Sequence, residues 1–332
     1  MRTVFAIAAA LALFLTGCDD GSTDDETDII DTVDDPIVDP LTGEVIFLHM
    51  VHVEKGSFMM GQNGDGTIGN NASSVREVTL TKDFYIGKYE VTQAQWKAVM
   101  GETLEERQLA AAPTQSTNYG RGDEYPMYYV NWYHTIVFCN KLSIMEGFTP
   151  AFSIDGKTDP AEWGEVPTST THASYATWKD VEIIADSTGY RLPSEAQWEY
   201  AAKGGHLASD PYYIFSGSNR IGIVAWNYWN NGTSGTELFG AKQVGTKQAN
   251  ELGIHDMAGN VQEWCLDNMT NAGSLPVGDE DPLKWNASGN DKQRRGGYWN
   301  DTGSCRSVGS SFANLNVGVF FDGFRVVRPV TQ

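Results

Sequence analysis

Three cysteines lie beyond the first eighteen residues, Cys139, Cys265 and Cys305, and no two are closer than 40 positions. No Cys-x-x-Cys pair and no His-Glu-x-x-His occurs, and His49, His52, His134, His172, His206 and His255 lack helical ligand spacing. Zinc and dithiol chemistry therefore find no ligand set. A nucleophilic thiol needs a base or cation beside it to lower its pKa, and Trp264, Leu266 and Asp267 around Cys265 provide neither, so Cys265 reads as a buried, inert thiol. Glu195 and Glu199 lie one turn apart. Their place in the first turns of a helix capped by Ser194 suits them to the helix dipole rather than to acid–base work. No Ser-His-Asp order and no phosphate-cradling glycine loop stands out.

The chemistry that remains is recognition. Between Asn300 and Arg328 there is no Lys, Glu, Gln, Met or Trp, although these five types supply 61 of the 332 residues. Small polar residues mixed with Phe and Val, with Tyr298 just ahead of them, make a paratope-like blend, in which aromatics give contact area and Ser, Gly and Asn adapt their hydrogen bonds. Val317, Val319, Phe320 and Phe321 form an apolar cluster that either packs into the core or marks a surface covered by a partner. The flanks Arg295-Gly-Gly297, Trp299, Cys305-Arg306 and Gly323-Phe-Arg325 read as a frame around it.

The elements that must carry these residues begin as strands at Val45–Val53, Phe58–Gly61, Arg76–Leu80 and Phe84–Tyr89. Thr92-Gln-Ala-Gln95 is a capping-box pattern that starts a helix running to Met100 and stopped by Gly101. Apolar positions at helical spacing predict a second helix over Trp132–Glu146 with Cys139 facing inward, and Ser194-Glu-Ala-Gln197 starts a third. Beyond Lys203 loops dominate, with a late strand at Gly323–Arg328, so the class is α+β with few helices.

Residues 1–17 read as a lipoprotein signal peptide: Arg2, an apolar core from Val4 to Leu15, and Leu15-Thr16-Gly17-Cys18 as the cleavage site that leaves Cys18 to be lipidated. Residues 18–44 carry eleven acids and no Lys or Arg, which predicts an acidic flexible tether. Residues 45–332 form one aromatic-rich domain with 32 acidic against 22 basic residues within a chain of net charge −20. The absence of a basic face excludes nucleic acid as a partner. Localisation follows as an exported, membrane-anchored lipoprotein at the cell surface, on the outer membrane.

Six motifs occur in order: Gly56-Ser-Phe-Met-Met-Gly61, Lys88 to Trp96, Tyr190-Arg-Leu-Pro-Ser-Glu-Ala-Gln-Trp-Glu-Tyr-Ala-Ala202, Gly253 to Trp264, Arg295-Gly-Gly297 and Gly323-Phe-Arg325. Together they resemble the formylglycine-generating-enzyme (sulfatase-modifying factor) domain across residues 45–329. The resemblance implies a C-type-lectin-like fold with a small β core, few helices and many ordered loops. It also implies a copper-binding cysteine pair shortly after the double glycine, but Tyr298-Trp-Asn-Asp-Thr-Gly-Ser304 contains no cysteine, and hydroxyls and amides do not replace thiolates on copper(I). Cys305 matches instead the family's structural cysteine, which implies a Cys139–Cys305 disulfide contributing ~2–4 kcal/mol.

By the same resemblance, Asp256, the Gly259 and Val261 carbonyls and Glu263 are expected to hold a structural calcium ion, with the Asn227–Tyr228 region as a second candidate. The alternative there is a capped turn with Glu263 in a hydrogen-bond network. No other cofactor is required. One branch of the family comprises the variable proteins of diversity-generating retroelements, in which adenines of template codons are mutated. From the asparagine codons AAC and AAT, Lys, Glu, Gln, Met and Trp are unreachable, and every residue from Ser307 to Asp322 is reachable. The likeness implies a non-enzymatic, monomeric receptor with a variable region over about 295–328 and a protein or glycan ligand that changes with the variant. Its ligand-binding residues would be Tyr298, Asp301, Thr302, Ser304, Val308, Ser310, Ser311, Phe312, Asn314, Leu315, Val317, Val319, Phe320, Phe321 and Asp322. The competing classes are a copper oxidase of the formylglycine-generating type or a related oxidoreductase, and a calcium-stabilised structural lipoprotein of the envelope.

Overall fold

A computed structural model describes residues 30–331 apart from 62, 64–65, 67–74, 115–117, 210–212, 237, 270–278 and 286–288. The signal peptide, Cys18 and the first part of the tether lie outside the described residues. In chain order the elements are β1 (Thr32–Val38), β2 (Val45–Val53), β3 (Gly56–Met60), β4 (Arg76–Leu80), β5 (Phe84–Gly87), α1 (Gln93–Met100), α2 (Leu104–Ala111) and α3 (Trp132–Met145). Then follow β6 (Phe152–Ser153), α4 (Tyr175–Trp178), β7 (Glu182–Ile183), α5 (Glu195–Ala202), α6 (Ile221–Val224), β8 (Gln262–Asn268), β9 (Asp291–Arg295), β10 (Ser310–Asn314), β11 (Asp322–Gly323) and β12 (Val327–Pro329). The architecture is mixed α+β with long ordered loops, as expected.

Two four-stranded sheets organise the domain, in the orders β1-β2-β5-β12 and β10-β9-β8-β11. The capping boxes form as the sequence predicts: Thr92 with Gln95 starts α1, Ser194 with Gln197 starts α5, and Gly101 ends α1 at a φ of 72° that favours glycine. Helix α3 is buried on nearly all sides. Its Phe138 stacks on Trp96 of α1 with ring centroids 5.8 Å apart and planes 3° apart, and Phe324 closes against both rings.

The flexible-tether assignment of residues 18–44 is corrected from residue 30 onward. β1 pairs antiparallel with β2 from Thr32↔Val51 to Val38↔Val45, and it alternates, turning Asp35 and Ile37 inward and Asp34, Pro36 and Val38 outward. Ile37 joins the main core, while Asp35 accepts hydrogen bonds from Arg328 at 2.8 and 3.0 Å and from the Tyr190 hydroxyl at 2.6 Å. An inward acid with a buried guanidinium partner pairs as well as an apolar residue packs, so acidic composition did not prevent order here.

Candidate ligand-binding surface

The C-terminal segment is fastened at its ends by arginines that hold buried carboxylates. Arg295 bonds Glu199, with Glu195 3.3 Å from its Nε; Arg294 bonds Asp322; and Arg325 forms a two-pronged pair with Glu263 at 2.6 and 2.8 Å. Each pair joins separate elements, so the frame is set by charge-assisted bonds inside the protein. Gly297, at φ 68°, lies against Cys305: a Cβ there would come within 2.8 Å of the Cys305 nitrogen. Trp299 is buried and its backbone N–H donates to the Asn260 carbonyl at 2.8 Å.

Between these anchors the chain presents aromatic rings. Phe321 stacks on Tyr298 with centroids 4.2 Å apart, and Phe320 packs on Tyr119 at 4.7 Å and on Trp299 at 5.9 Å. All of Tyr298, Phe320 and Phe321 stay partly exposed. Asp301 closes its own loop by accepting the Gly303 and Ser304 N–H groups at 2.7 and 2.8 Å. Burial raises the pKa of the Tyr298 hydroxyl, with Asp301 adding to the effect, so it is a neutral donor.

Of the fifteen expected ligand-binding residues, Thr302, Phe312 and Val317 are exposed, and Tyr298, Asp301, Ser304, Ser311, Asn314, Val319, Phe320 and Phe321 are partly exposed. Val308, Ser310, Leu315 and Asp322 are corrected, because they are buried. Leu315 joins the main core and its carbonyl accepts the Trp132 N–H, Ser310 pairs with Arg295 across β10 and β9, Val308 packs inward, and Asp322 is held by Arg294 beneath Phe321. Residue composition marks the segment, but only backbone geometry separates its inward from its outward positions.

Sequence reasoning missed a neighbouring loop over residues 227–240. Tyr228 and Trp229 are 49% and 70% exposed and meet edge to face at 4.9 Å, a rare degree of exposure for two such rings side by side. The loop is tied to the segment where Tyr228 N–H donates to the Asp301 carbonyl, Asn231 donates to the Trp299 carbonyl and Phe239 packs on Trp299 at 4.7 Å. The run Asn227-Tyr-Trp-Asn-Asn-Gly232 carried a signal in its adjacent aromatics among turn residues.

Of the expected calcium ligands, Glu263 is engaged within the protein. Both oxygens of Glu263 are taken by Arg325, and Oε2 also accepts the Trp198 indole N–H at 2.8 Å. Asp256 accepts the Gly245 N–H through Oδ2, and the turn is instead held by Glu90, whose carboxyl accepts Val261 N–H at 3.0 Å and Asn260 Nδ2 at 2.6 Å. Arg325 thus takes Glu263 out of the expected set, while Asp256 Oδ1 is buried without a hydrogen-bond partner. Among the described residues no group of three or more His, Cys, Asp or Glu is arranged to hold a metal. Asn227 at the second candidate site turns inward to accept the Trp229 N–H. The hydrogen-bond network around Glu263 that the capped-turn alternative expects is present.

The disulfide expectation is also corrected: Cys139, Cys265 and Cys305 are all free and buried. Cys139 sits on α3 in the main core, whereas Cys305 packs with Ala225 and Ala258 in a separate small cluster. Burial pushes all three thiols above their ordinary range, away from nucleophilic character.

Residues 44–330 match the family model of the Sulfatase-modifying factor enzyme 1-like domain. Among similar proteins, Chaperone protein LppX of Paenibacillus barcinonensis is 38% identical over 65% of this chain and 70% of its own length. The Formylglycine-generating enzyme of Thermomonospora curvata is 27% identical over 66% of this chain and 71% of its own. The solved structure of Treponema denticola variable protein 1 superposes with a TM-score of 0.68 at 28% identity, covering 90% of this chain and 99% of that one.

Proposed function

The chain belongs to the Sulfatase-modifying factor enzyme 1-like family, and from that footing we propose that it is a non-catalytic, surface-displayed lipoprotein that binds a protein or glycan through a diversified C-terminal site. The observation that carries this reading is the partly exposed ring cluster of Tyr298, Phe320 and Phe321, placed between buried arginine anchors that fix its frame. The likeness to Treponema denticola variable protein 1 over 90% of the chain supports it, as does the lack of cysteine between Tyr298 and Ser304. A rigid frame with replaceable rings suits recognition, because side chains change while the backbone stays.

The test is to sequence the gene across isolates. Substitutions clustered in codons for exposed positions of residues 298–321, confined to template adenines beside a reverse transcriptase gene and a near-identical repeat, are the expected result. Substitutions spread evenly along the chain, or turnover of a sulfatase-derived cysteine peptide with copper, would overturn the reading.

A second reading has one specific observation in its favour, the 38% identity to a protein named as a chaperone. On that reading the exposed Trp229 and Phe312 hold apolar segments of an exported client. A raised refolding yield for a denatured secreted enzyme in the presence of this protein, lost in Trp229→Ser, would favour it over the receptor.

A further inference from the structure

A cleft of about 880 Å³ shares no lining residue with the aromatic surface. Its accessible apolar wall is Ile183, Leu283 and Val330 over the buried Leu80 and Phe84, and Arg191, with Lys55 and Lys82, contributes to its lining. The volume and apolar walls suit an organic ligand held by a few polar contacts. The backbone of Arg191 is fixed by a pair of hydrogen bonds with Val327 at 2.8 and 2.9 Å. Its side chain spends Nη1 on the Leu192 carbonyl at 3.0 Å and Gln197 Oε1 at 2.7 Å.

Among the described residues, no carboxylate comes within 4.0 Å of this guanidinium, and Nε and Nη2 make no hydrogen bond to the protein. Arg294, Arg295, Arg325 and Arg328, by contrast, each hold a carboxylate. Burial lowers the pKa of Arg191 to about 10, with Asp267 and Asp281 opposing from beyond ion-pair distance, so the charge is taken from water with no carboxylate bonded to it. The acids of the cleft are otherwise engaged or peripheral: Asp83 accepts the Lys55 N–H and faces His52, Asp281 accepts both Thr81 donors, and Asp186 is exposed.

The free Nε–Nη2 edge of a guanidinium presents two parallel donors spaced for the two oxygens of one carboxylate. We infer that the cleft binds an amphiphilic carboxylate, with its apolar body against Ile183, Leu283 and Val330 and its carboxylate on Arg191. A fatty acid and the C-terminal end of an apolar peptide share this chemistry.

Calorimetric titration of the full chain with decanoate and with N-acetyl-Leu-Phe, each beside its methyl ester, tests the inference and separates the sources. At least one acid is expected to bind, with its ester at least tenfold weaker. Binding of decanoate alone assigns a fatty acid, and binding of the dipeptide alone assigns a chain end. Arg191→Gln should weaken the acid tenfold. Because that change also frees Leu192 and Gln197, Val330→Trp, at a 36% exposed position on the cleft wall, serves as an independent block that leaves Arg191 in place. Failure of both acids to bind, equal affinity for acid and ester, or undiminished binding in Val330→Trp would each overturn it.

Discussion

The ring of Tyr298 lies stacked on that of Phe321, centroids 4.2 Å apart and planes inclined by 22°, although 22 residues of the C-terminal segment separate them. The stack ties the start of the segment to its end and turns a long loop into a surface. A double-mutant cycle on Tyr298→Ala and Phe321→Ala, read by urea unfolding, should return a coupling of ~0.5–1.5 kcal/mol. A coupling indistinguishable from zero would mean that the rings do not meet in solution.

The exposed positions of the same segment should tolerate change. Phe312 and Val317 are 46% and 45% exposed, so Phe312→Ser and Val317→Ser are expected to alter unfolding free energy by no more than ~0.5 kcal/mol. Leu315→Ser, two residues from Val317 but in the core, should cost several times as much, since it leaves a cavity and an unpaired hydroxyl. Similar losses in all three would remove the distinction between frame and variable position on which the receptor reading depends.

Asp35 and Arg328 join the first strand to the last, and their bond explains why part of an acidic segment is ordered. Asp35→Ala leaves the guanidinium of Arg328 and the hydroxyl of Tyr190 without their acceptor and should cost ~1–3 kcal/mol in thermal or chemical unfolding. Asp34→Ala, at the preceding outward position, removes only an exposed bond to His49 and is the control that should change little.

Much of the helical framework was legible because its signals are local. Thr92 with Gln95, Ser194 with Gln197 and the glycine at 101 each fix a helix end within four residues of sequence. Strands β1 and β8 were not legible for opposite reasons. In β1 the inward positions are Asp35 and Ile37, so the alternation is acid beside aliphatic and vanishes in a hydropathy reading. In β8 every residue of Gln262–Asn268 is buried, so no alternation exists to be read. Long-range partners decided what residue types did not: Arg325 reaches Glu263 of the calcium set across 62 positions, and Cys305 finds Ala225 and Ala258 instead of the Cys139 of the expected disulfide. Which residue meets which across such distances is a property of the fold, and residue types alone do not carry it.

Glu90 offers the sharpest pH test. It is fully buried, and burial together with Asp256 and Glu263 raises its carboxyl well above the ordinary 4.5, with Arg325 opposing only in part. Folded Glu90 therefore holds its proton to higher pH than the unfolded chain, which loses it above about 4.5. The unfolded state then binds fewer protons, and stability must fall as pH rises from that value. Glu90→Gln imitates the protonated form and is neutral at every pH. Its melting temperature, compared with that of the parent between pH 5 and 9, should gain on the parent steadily as pH increases. A constant difference across the range would mean that Glu90 is ionised in the folded protein and that the Asp256–Glu263 turn is held by charge rather than by a shared proton.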